Sequence, residues 1–192
     1  MKKIIYYGFV FIALCSCNHQ SNKNKETDVL QTEICKCKGL DNLNHAVLKY
    51  EPMLEYLDTI GVLKGNLVCF KDTISIEGLK CYTKEGFPVI VSDCYSTMNN
   101  DVELLLKTNR KPSKAKNVLR DYLCSNNIEY ANGEKVTFDS LPKCKYIFVS
   151  EFAIGLYEAI PIKQYIIDLA KIIRKSETSI LIFVHPKKPI KK

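Results

Sequence analysis

Several features common in enzymes and membrane proteins are missing from this chain of 192 residues. Its N-terminal apolar run, residues 4–14, is shorter than the roughly 20 residues that a transmembrane helix needs. Glycine-rich phosphate loops, G-x-S-x-G and H-E-x-x-H are absent, which excludes the usual signatures of nucleotide-binding proteins, α/β-hydrolases and zinc peptidases. Tryptophan is also absent, and the three histidines, His19, His45 and His185, are scattered along the sequence. No motif in the sequence therefore names a reaction.

The N-terminus carries the pattern of an export signal. Lys2 and Lys3 precede residues 4–14, as a charged n-region precedes a short apolar h-region. The last residue of this run and the three that follow it resemble the lipobox of bacterial lipoproteins: Leu14, Cys15, Ser16 and Cys17. The resemblance implies cleavage after Ser16, a diacylglyceryl group on the Cys17 sulfur and acylation, for example by palmitate, of the new amino terminus. Such an anchor would hold the protein stably on a lipid bilayer.

The resemblance covers only residues 1–17, and two alternatives remain: a plain secretory signal with a coincidental cysteine, or an uncleaved anchor. We expect a signal peptide at 1–16, the lipidated cysteine and a flexible tether at 17–33, one folded domain at 34–186 and a basic tail at 187–192. By the same resemblance, Asn18 after the lipidated cysteine is compatible with sorting to the outer membrane. The expected location is the bacterial cell envelope.

The chain is mildly basic, with a formal net charge of +7. Removing residues 1–16 takes away two lysines and leaves about +5. Much of the excess lies in the C-terminal tail, which fits an anionic surface or an acidic partner but equally fits a solvated terminus. Because the sequence shows no basic helix and no aromatic stacking platform, nucleic acid is not an expected partner.

The pattern of the domain predicts a mixed α/β fold with mainly parallel core strands. Residues 145–150 and 179–184 are nearly continuous apolar runs, typical of strands buried on both faces, and residues 161–173 between them have helical spacing. A strand, a helix and a strand with this connection predict a right-handed crossover and parallel pairing. We expect residues 88–92 (PVIVS) to supply a third core strand.

The sequence patterns in the rest of the domain predict one edge of the sheet and the helices that pack on it. Between residues 66 and 93, the short runs LVCF, TISI and LKCY predict a β-meander at the edge of the sheet. Helices are expected over residues 46–61, 98–108 and from Ser113 onward, with Asn99 or Asn100 as the cap of the second. Pro52 either kinks the first helix or begins a shorter one.

Seven cysteines follow the lipobox, and an oxidising envelope would favour disulfides among them. They are Cys35, Cys37, Cys69, Cys81, Cys94, Cys124 and Cys144. Cys69 and Cys81 lie in neighbouring predicted strands, and Cys81 and Cys94 flank a turn region, so either pair could be close, but connectivity cannot be read from sequence. The alternative is that several of the seven are buried thiols that pack as small hydrophobes, and Cys69 and Cys124, beside apolar positions, suit it. Cys35 and Cys37 could each pin the tether to the domain; with no second closely spaced pair, we expect no metal site.

Cys94 is the sharpest chemical candidate, because it follows an apolar run and precedes a predicted helix. The helix dipole would stabilise its thiolate, and His185 could serve as its base if both strands end at the same sheet edge. Asp93 opposes that thiolate, and Thr97 stands where a C-x-x-C partner would be. Glu151 directly follows a predicted strand, at the edge where open α/β sheets often place their sites.

Three functions remain open. The first is a non-enzymatic, membrane-anchored lipoprotein that binds a protein, in an immunity or envelope-assembly role. The second is a thiol-dependent redox or transfer enzyme that uses Cys94. The third is a carrier or receptor for a small ligand. We favour the first, with no cofactor, because the sequence contains no catalytic constellation.

Overall fold

The computed structural model describes residues 40–45, 50–75, 78–92, 94–114, 116–151 and 162–187. The helices in these ranges are α1 (Leu40–His45), α2 (Glu51–Thr59), α3 (Tyr95–Lys107), α4 (Val118–Ser125) and α5 (Ile162–Lys175). The strands are β1 (Leu67–Lys71), β2 (Lys80–Thr83), β3 (Pro88–Val89), β4 (Glu129–Tyr130), β5 (Tyr146–Glu151) and β6 (Ser179–Pro186). The export signal, the tether and most of the basic tail lie outside the described residues. None of the helices described here combines the length and the apolarity that crossing a bilayer requires.

The six strands form one sheet in the order β3-β2-β5-β6-β1-β4. β5, β6 and β1 are parallel, whereas β2, β3 and β4 join the sheet by antiparallel pairing. The expected mixed α/β class is thus confirmed, as is the parallel pairing of β5 with β6. All the residues of β1 and β5 are buried, because helices cover both faces of the sheet.

Two apolar cores lie on opposite faces of the sheet. The first contains side chains of α2, α3 and α5 against alternate residues of the central strands, including Phe70, Phe148 and Phe183. The second contains side chains of α1 and α4 against the intervening residues, including Cys69, Val149 and Val184. Because side chains alternate along a strand, residues 69 and 71 of β1 share the second face with residues 149 and 151 of β5.

The crossover helix α5 follows the predicted pattern. Ile166, Leu169, Ala170 and Ile173 are buried and recur at helical spacing. The helix packs against α3 and β6 and returns the chain to pair with β5. The apolar period of this segment therefore predicted both the element and its packed face.

The expected arrangement of residues 67–93 is wrong in three respects. The run LVCF is an internal strand, β1, between β6 and β4, and the run TISI forms no strand over its described residues 73–75. The run PVIVS is not a core strand: it contributes only Pro88–Val89, at the end of the sheet. Its alternation of buried Val89 with exposed Ile90 is typical of a strand covered on one face.

Three helix starts differ from or refine the prediction. α2 has Pro52 in its first turn, so of the two alternatives the shorter helix is the one found. α3 begins at Tyr95 with Cys94 as its N-cap, rather than at Asn99 or Asn100. α4 begins at Val118 rather than near Ser113, because the Asn117 side chain accepts a hydrogen bond from the Arg120 N–H and caps the helix there.

Candidate functional site

A buried ion pair joins the carboxyl ends of two parallel strands. Glu151 is the last residue of β5 and Lys71 the last of β1, with β6 between them. Lys71 Nζ lies 2.7 Å from Glu151 Oε2, and the two side chains are only 6% and 2% exposed. The parallel register places both residues at the same edge and on the face covered by α4. This is the edge at which open α/β sheets commonly hold their functional groups.

Both carboxylate oxygens of Glu151 are occupied. The Tyr122 hydroxyl, from α4, donates to Oε1 at 2.7 Å, while the Ser75 backbone N–H donates to Oε2 at 2.9 Å. Burial alone would raise the pKa of Glu151, but hydrogen bonds from Lys71, Tyr122 and Ser75 outweigh it and hold the pKa below its ordinary value. Glu151 therefore stays ionised at neutral pH and is fixed by three donors.

Tyr122 completes the cluster as a donor and as an aromatic surface. Its pKa is raised by burial and by the hydrogen bond to the Glu151 carboxylate, so the phenol keeps its proton. Lys71 Nζ and Lys80 Nζ lie 5.5 and 5.2 Å from the centre of the Tyr122 ring, within cation–π range. The cluster thus ties α4 to the ends of β1 and β5.

A second charged group lies at the same end of the sheet. Lys187 Nζ is 2.6 Å from Glu129 Oε1 and 3.4 Å from Asp72 Oδ1, and the Lys187 N–H bonds to the Lys71 carbonyl. These contacts fasten the residue after β6 to β1 and β4. Lys187, predicted as the first residue of the basic tail, is therefore part of the folded domain.

The structure does not bring Cys94 and His185 together. β3, which precedes Cys94, is separated from β6 by β2 and β5, a distance of about 14 Å across the sheet. The Cys94 side chain is exposed, whereas His185 is fully buried beside Phe70. Burial lowers the pKa of His185 to about 3, so its imidazole is neutral throughout the physiological range.

Cys94 occupies the position at which its thiolate was expected to be stabilised. It is the N-cap of α3, and its Sγ lies 3.1 Å from Ser96 Oγ. Hydrogen bonds from the Ser96 side chain and then the Ser96 backbone, with smaller ones from Thr97, lower the pKa of Cys94. An exposed thiol with a lowered pKa is chemically competent to react with electrophiles.

The other described cysteines have different environments. Cys69, Cys81 and Cys144 are buried, as expected for Cys69, whereas Cys124, which its sequence position also suggested as a buried thiol, is exposed; Cys69, Cys81, Cys94 and Cys124 are free thiols. Burial raises the pKa values of Cys69 and Cys81, which keeps both thiols protonated. The suggested proximity of these two is wrong, since β5 and β6 lie between their strands. Cys35, Cys37 and Cys17 lie outside the described residues.

The sequence identified Glu151 as a candidate from its place after a strand, but it did not identify the residues that pair with its carboxylate. Lys71 directly follows the apolar run LVCF, so the same argument would have placed an opposite charge at the end of another strand. Tyr122 lies on the apolar face of its helix, a position at which the sequence pattern alone predicts a core residue. No group of three or more metal-ligating side chains is found among the described residues.

Comparisons with protein families, curated proteins and solved structures find no match to this chain. Its function is therefore argued from its own sequence and geometry.

Proposed function

We propose that this protein is a lipoprotein of the bacterial cell envelope, anchored through acylated Cys17, whose α/β domain binds a protein partner. The lipobox, the polar residues 18–33 and the compact domain follow one another as in a tethered module. Outer-membrane sorting and a role in immunity or envelope assembly belong to the same proposal.

One observation carries the binding role: at the carboxyl edge of the sheet, both oxygens of the Glu151 carboxylate already accept hydrogen bonds from the protein itself. Glu151 accepts hydrogen bonds from Lys71, Tyr122 and Ser75, and its lowered pKa keeps it ionised. A general base needs a free lone pair and a pKa near the working pH. Open α/β sheets often hold their catalytic residues at this edge, but in this protein the charged residues there hold strands together. This supports a function at the surface of the domain.

The anchor is tested by the intact mass of the protein purified from the cell envelope. Loss of residues 1–16 together with added acyl mass is the expected result, and a Cys17→Ser variant is expected to lack the acyl mass. An unmodified full-length mass would rule out the lipoprotein.

The binding role is tested by photo-crosslinking in intact envelopes, with a crosslinking amino acid placed at one exposed position at a time. A partner is expected to give one discrete crosslinked species from a contiguous group of positions. Crosslinks spread evenly over the surface, or none from any position, would rule out a dedicated protein partner.

A second candidate function rests on the environment of Cys94. Its exposure, its place at the start of α3 and its lowered pKa favour a reactive thiol. The measurement is the alkylation rate as a function of pH, with exposed Cys124 as the internal reference. A reactive Cys94 is expected to be alkylated faster than Cys124 near neutral pH, and Ser96→Ala is expected to slow it. Equal rates at every pH would exclude the thiol enzyme.

A further inference from the structure

Exposed apolar side chains and exposed lysines lie on the segments around the β3 end of the sheet. Ile90 is 73% and Leu104 is 50% exposed, and they are the two most exposed large apolar residues in the described part of the chain. Lys111, Pro112 and Lys114, in the segment that follows α3, are exposed as well. We call these five residues the β3-edge surface.

Hydrogen bonds from a following segment hold this surface together. Ser113 donates its N–H at 2.8 Å and its hydroxyl at 3.0 Å to the Pro88 carbonyl. Arg110 Nη1 donates to the Ile90 carbonyl at 3.2 Å, and its Nη2 lies 2.6 Å from Asp101 Oδ1 on α3. Leu104 lies one turn further along that helix. Residues 110–113 are therefore tied to residues 88–90, and Lys111 lies within the tied segment.

These contacts also limit what the surface can bind. An incoming strand would need the outer carbonyls of β3, but those of Pro88 and Ile90 already accept hydrogen bonds from Ser113 and Arg110. Pro88 has no N–H to offer. Strand addition at this edge is blocked, so recognition must proceed through side chains.

The side chains carry an excess of positive charge. Residues 107–116 contain five cations and no acidic residue. Lys107, Arg110 and Lys116 are paired with Glu103, Asp101 and Asp121. Lys111 and Lys114 form no ion pair within the described residues and are free to attract an anionic surface.

We propose that the β3-edge surface docks the domain on an anionic lipid bilayer. Aliphatic side chains flanked by lysines match the boundary between headgroups and acyl chains, where lysine stems pack on apolar surface and their ammonium groups reach phosphates. Lysines beside an anionic leaflet gain affinity from its surface potential. Charge complementarity thus favours a bilayer.

The proposal deepens the membrane-anchored function and rests on it. Residues 18–33 span at most about 55 Å when extended, so an anchored chain can lie with one face against its own membrane. Docking would fix the orientation of the domain, with the surface at the β4 end of the sheet turned away from the bilayer.

The test measures co-sedimentation with vesicles, using the chain from residue 17 onward with Cys17→Ser, so that no acyl anchor contributes. Lys188→Gln, Lys191→Gln and Lys192→Gln remove the attraction of the tail in every sample. Binding is compared between vesicles of phosphatidylcholine with phosphatidylglycerol and vesicles of phosphatidylcholine alone.

Binding is expected to the anionic vesicles only, and Lys111→Glu with Lys114→Glu is expected to weaken it about thirty-fold or more. The matched control is Lys64→Glu with Lys135→Glu. It makes the same charge change at exposed lysines next to β1 and β4, the other end of the sheet, and is expected to change affinity less than about three-fold. Ile90→Ser is expected to weaken binding without a charge change.

Equal binding to both vesicle types, or equal loss in the two lysine pairs, would overturn the proposal. So would an absence of vesicle binding together with a discrete protein crosslinked at residue 90, which would assign the surface to an acidic protein. Since the samples carry Cys17→Ser, the result is independent of lipidation, and failure of the anchor is detected separately by the mass measurement.

Discussion

Glu151 and Lys71 are charged side chains that the fold removes almost entirely from water. Taking charges out of water costs several kcal/mol per ion, and a close pair offsets this only when further hydrogen bonds satisfy both groups. Tyr122 and Ser75 supply those bonds to Glu151. One carboxylate therefore links β5 to β1 and α4. Removing the charge of one partner is expected to lower the free energy of unfolding.

Glu151→Gln is expected to lower the free energy of unfolding by about 3 kcal/mol, because it leaves the buried Lys71 ammonium without a counter-charge. Chemical denaturation of the wild type and the variant measures it. The matched control is Glu85→Gln, which breaks an exposed pair with Lys84 at 3.9 Å and should change stability by less than about 0.5 kcal/mol. Equal effects of the two substitutions would contradict a structural role for the buried pair.

His185 gives the domain a specific dependence on pH. Its pKa is about 3 in the folded chain and about 6.5 in an unfolded one, so the unfolded state takes up a proton that the folded state refuses. Stability is expected to fall by about 2 kcal/mol between pH 7 and pH 5, and His185→Gln should flatten this decline. The Glu151 pKa is also lowered, but its contribution is lost only below about pH 4.3. Denaturation at a series of pH values measures the slope, and an unchanged slope in His185→Gln would contradict the assignment.

At the scale of elements, the turn between β2 and β3 positions the start of α4. Gly86 has a φ of +79°, and its carbonyl accepts a hydrogen bond from the Leu119 N–H. A Cβ at this position would overlap Asn117 Oδ1, the acceptor that caps α4, and would lie 2.9 Å from the Phe138 ring. The turn and the helix cap therefore require glycine for two reasons, backbone conformation and space.

Gly86→Ala is expected to cost about 3 kcal/mol or more, through left-handed strain, overlap with Asn117 and loss of the cap. Gly133→Ala is the matched control, because Gly133 has a similar φ of +85° and no atom within 4 Å of an added Cβ. It should cost only the strain, about 1–2 kcal/mol. Thermal unfolding of both variants measures the difference, and equal losses would show that the close approach to Asn117 has no energetic effect.

The elements that sequence predicted best are those whose pattern is long and local. α5 and its flanking strands were found because burial on one helical face, or on both strand faces, leaves a clear period. β4 was missed because two residues carry no period, and residues 88–92 were misplaced because a short apolar run does not show its position in a sheet. Position depends on pairing between distant segments, such as β1 with β6, which local pattern does not contain.

At the scale of the whole molecule, the candidate site shows the same limit. Glu151 was marked by its place after a strand, but its pairing with Lys71 depends on β6 entering between β5 and β1. Cys94 was placed correctly at a helix start, yet His185, which sequence offered as its base, is buried in the core. Chemistry within one segment was predictable, whereas chemistry between segments required the topology.

The distribution of thiols over the molecule gives a measure of its global unfolding. Cys69 and Cys144 are buried in the core between the sheet and α4, and Cys124 is exposed on α4 itself. Without reductant, Cys124 should be alkylated in the native protein, while Cys69 and Cys144 should react only at the rate at which the whole domain opens.

Mass mapping after timed alkylation in increasing denaturant measures these rates. Cys69 and Cys144 should become reactive together, over the transition seen by circular dichroism, because both belong to one core on the same face of the sheet. Native-state labelling of Cys69 as fast as that of Cys124 would contradict its burial. A requirement for reductant before Cys69 reacts in the unfolded state would instead show a disulfide, as the cysteine content of an exported chain led us to expect, and would contradict the free thiol of Cys69 in the folded domain.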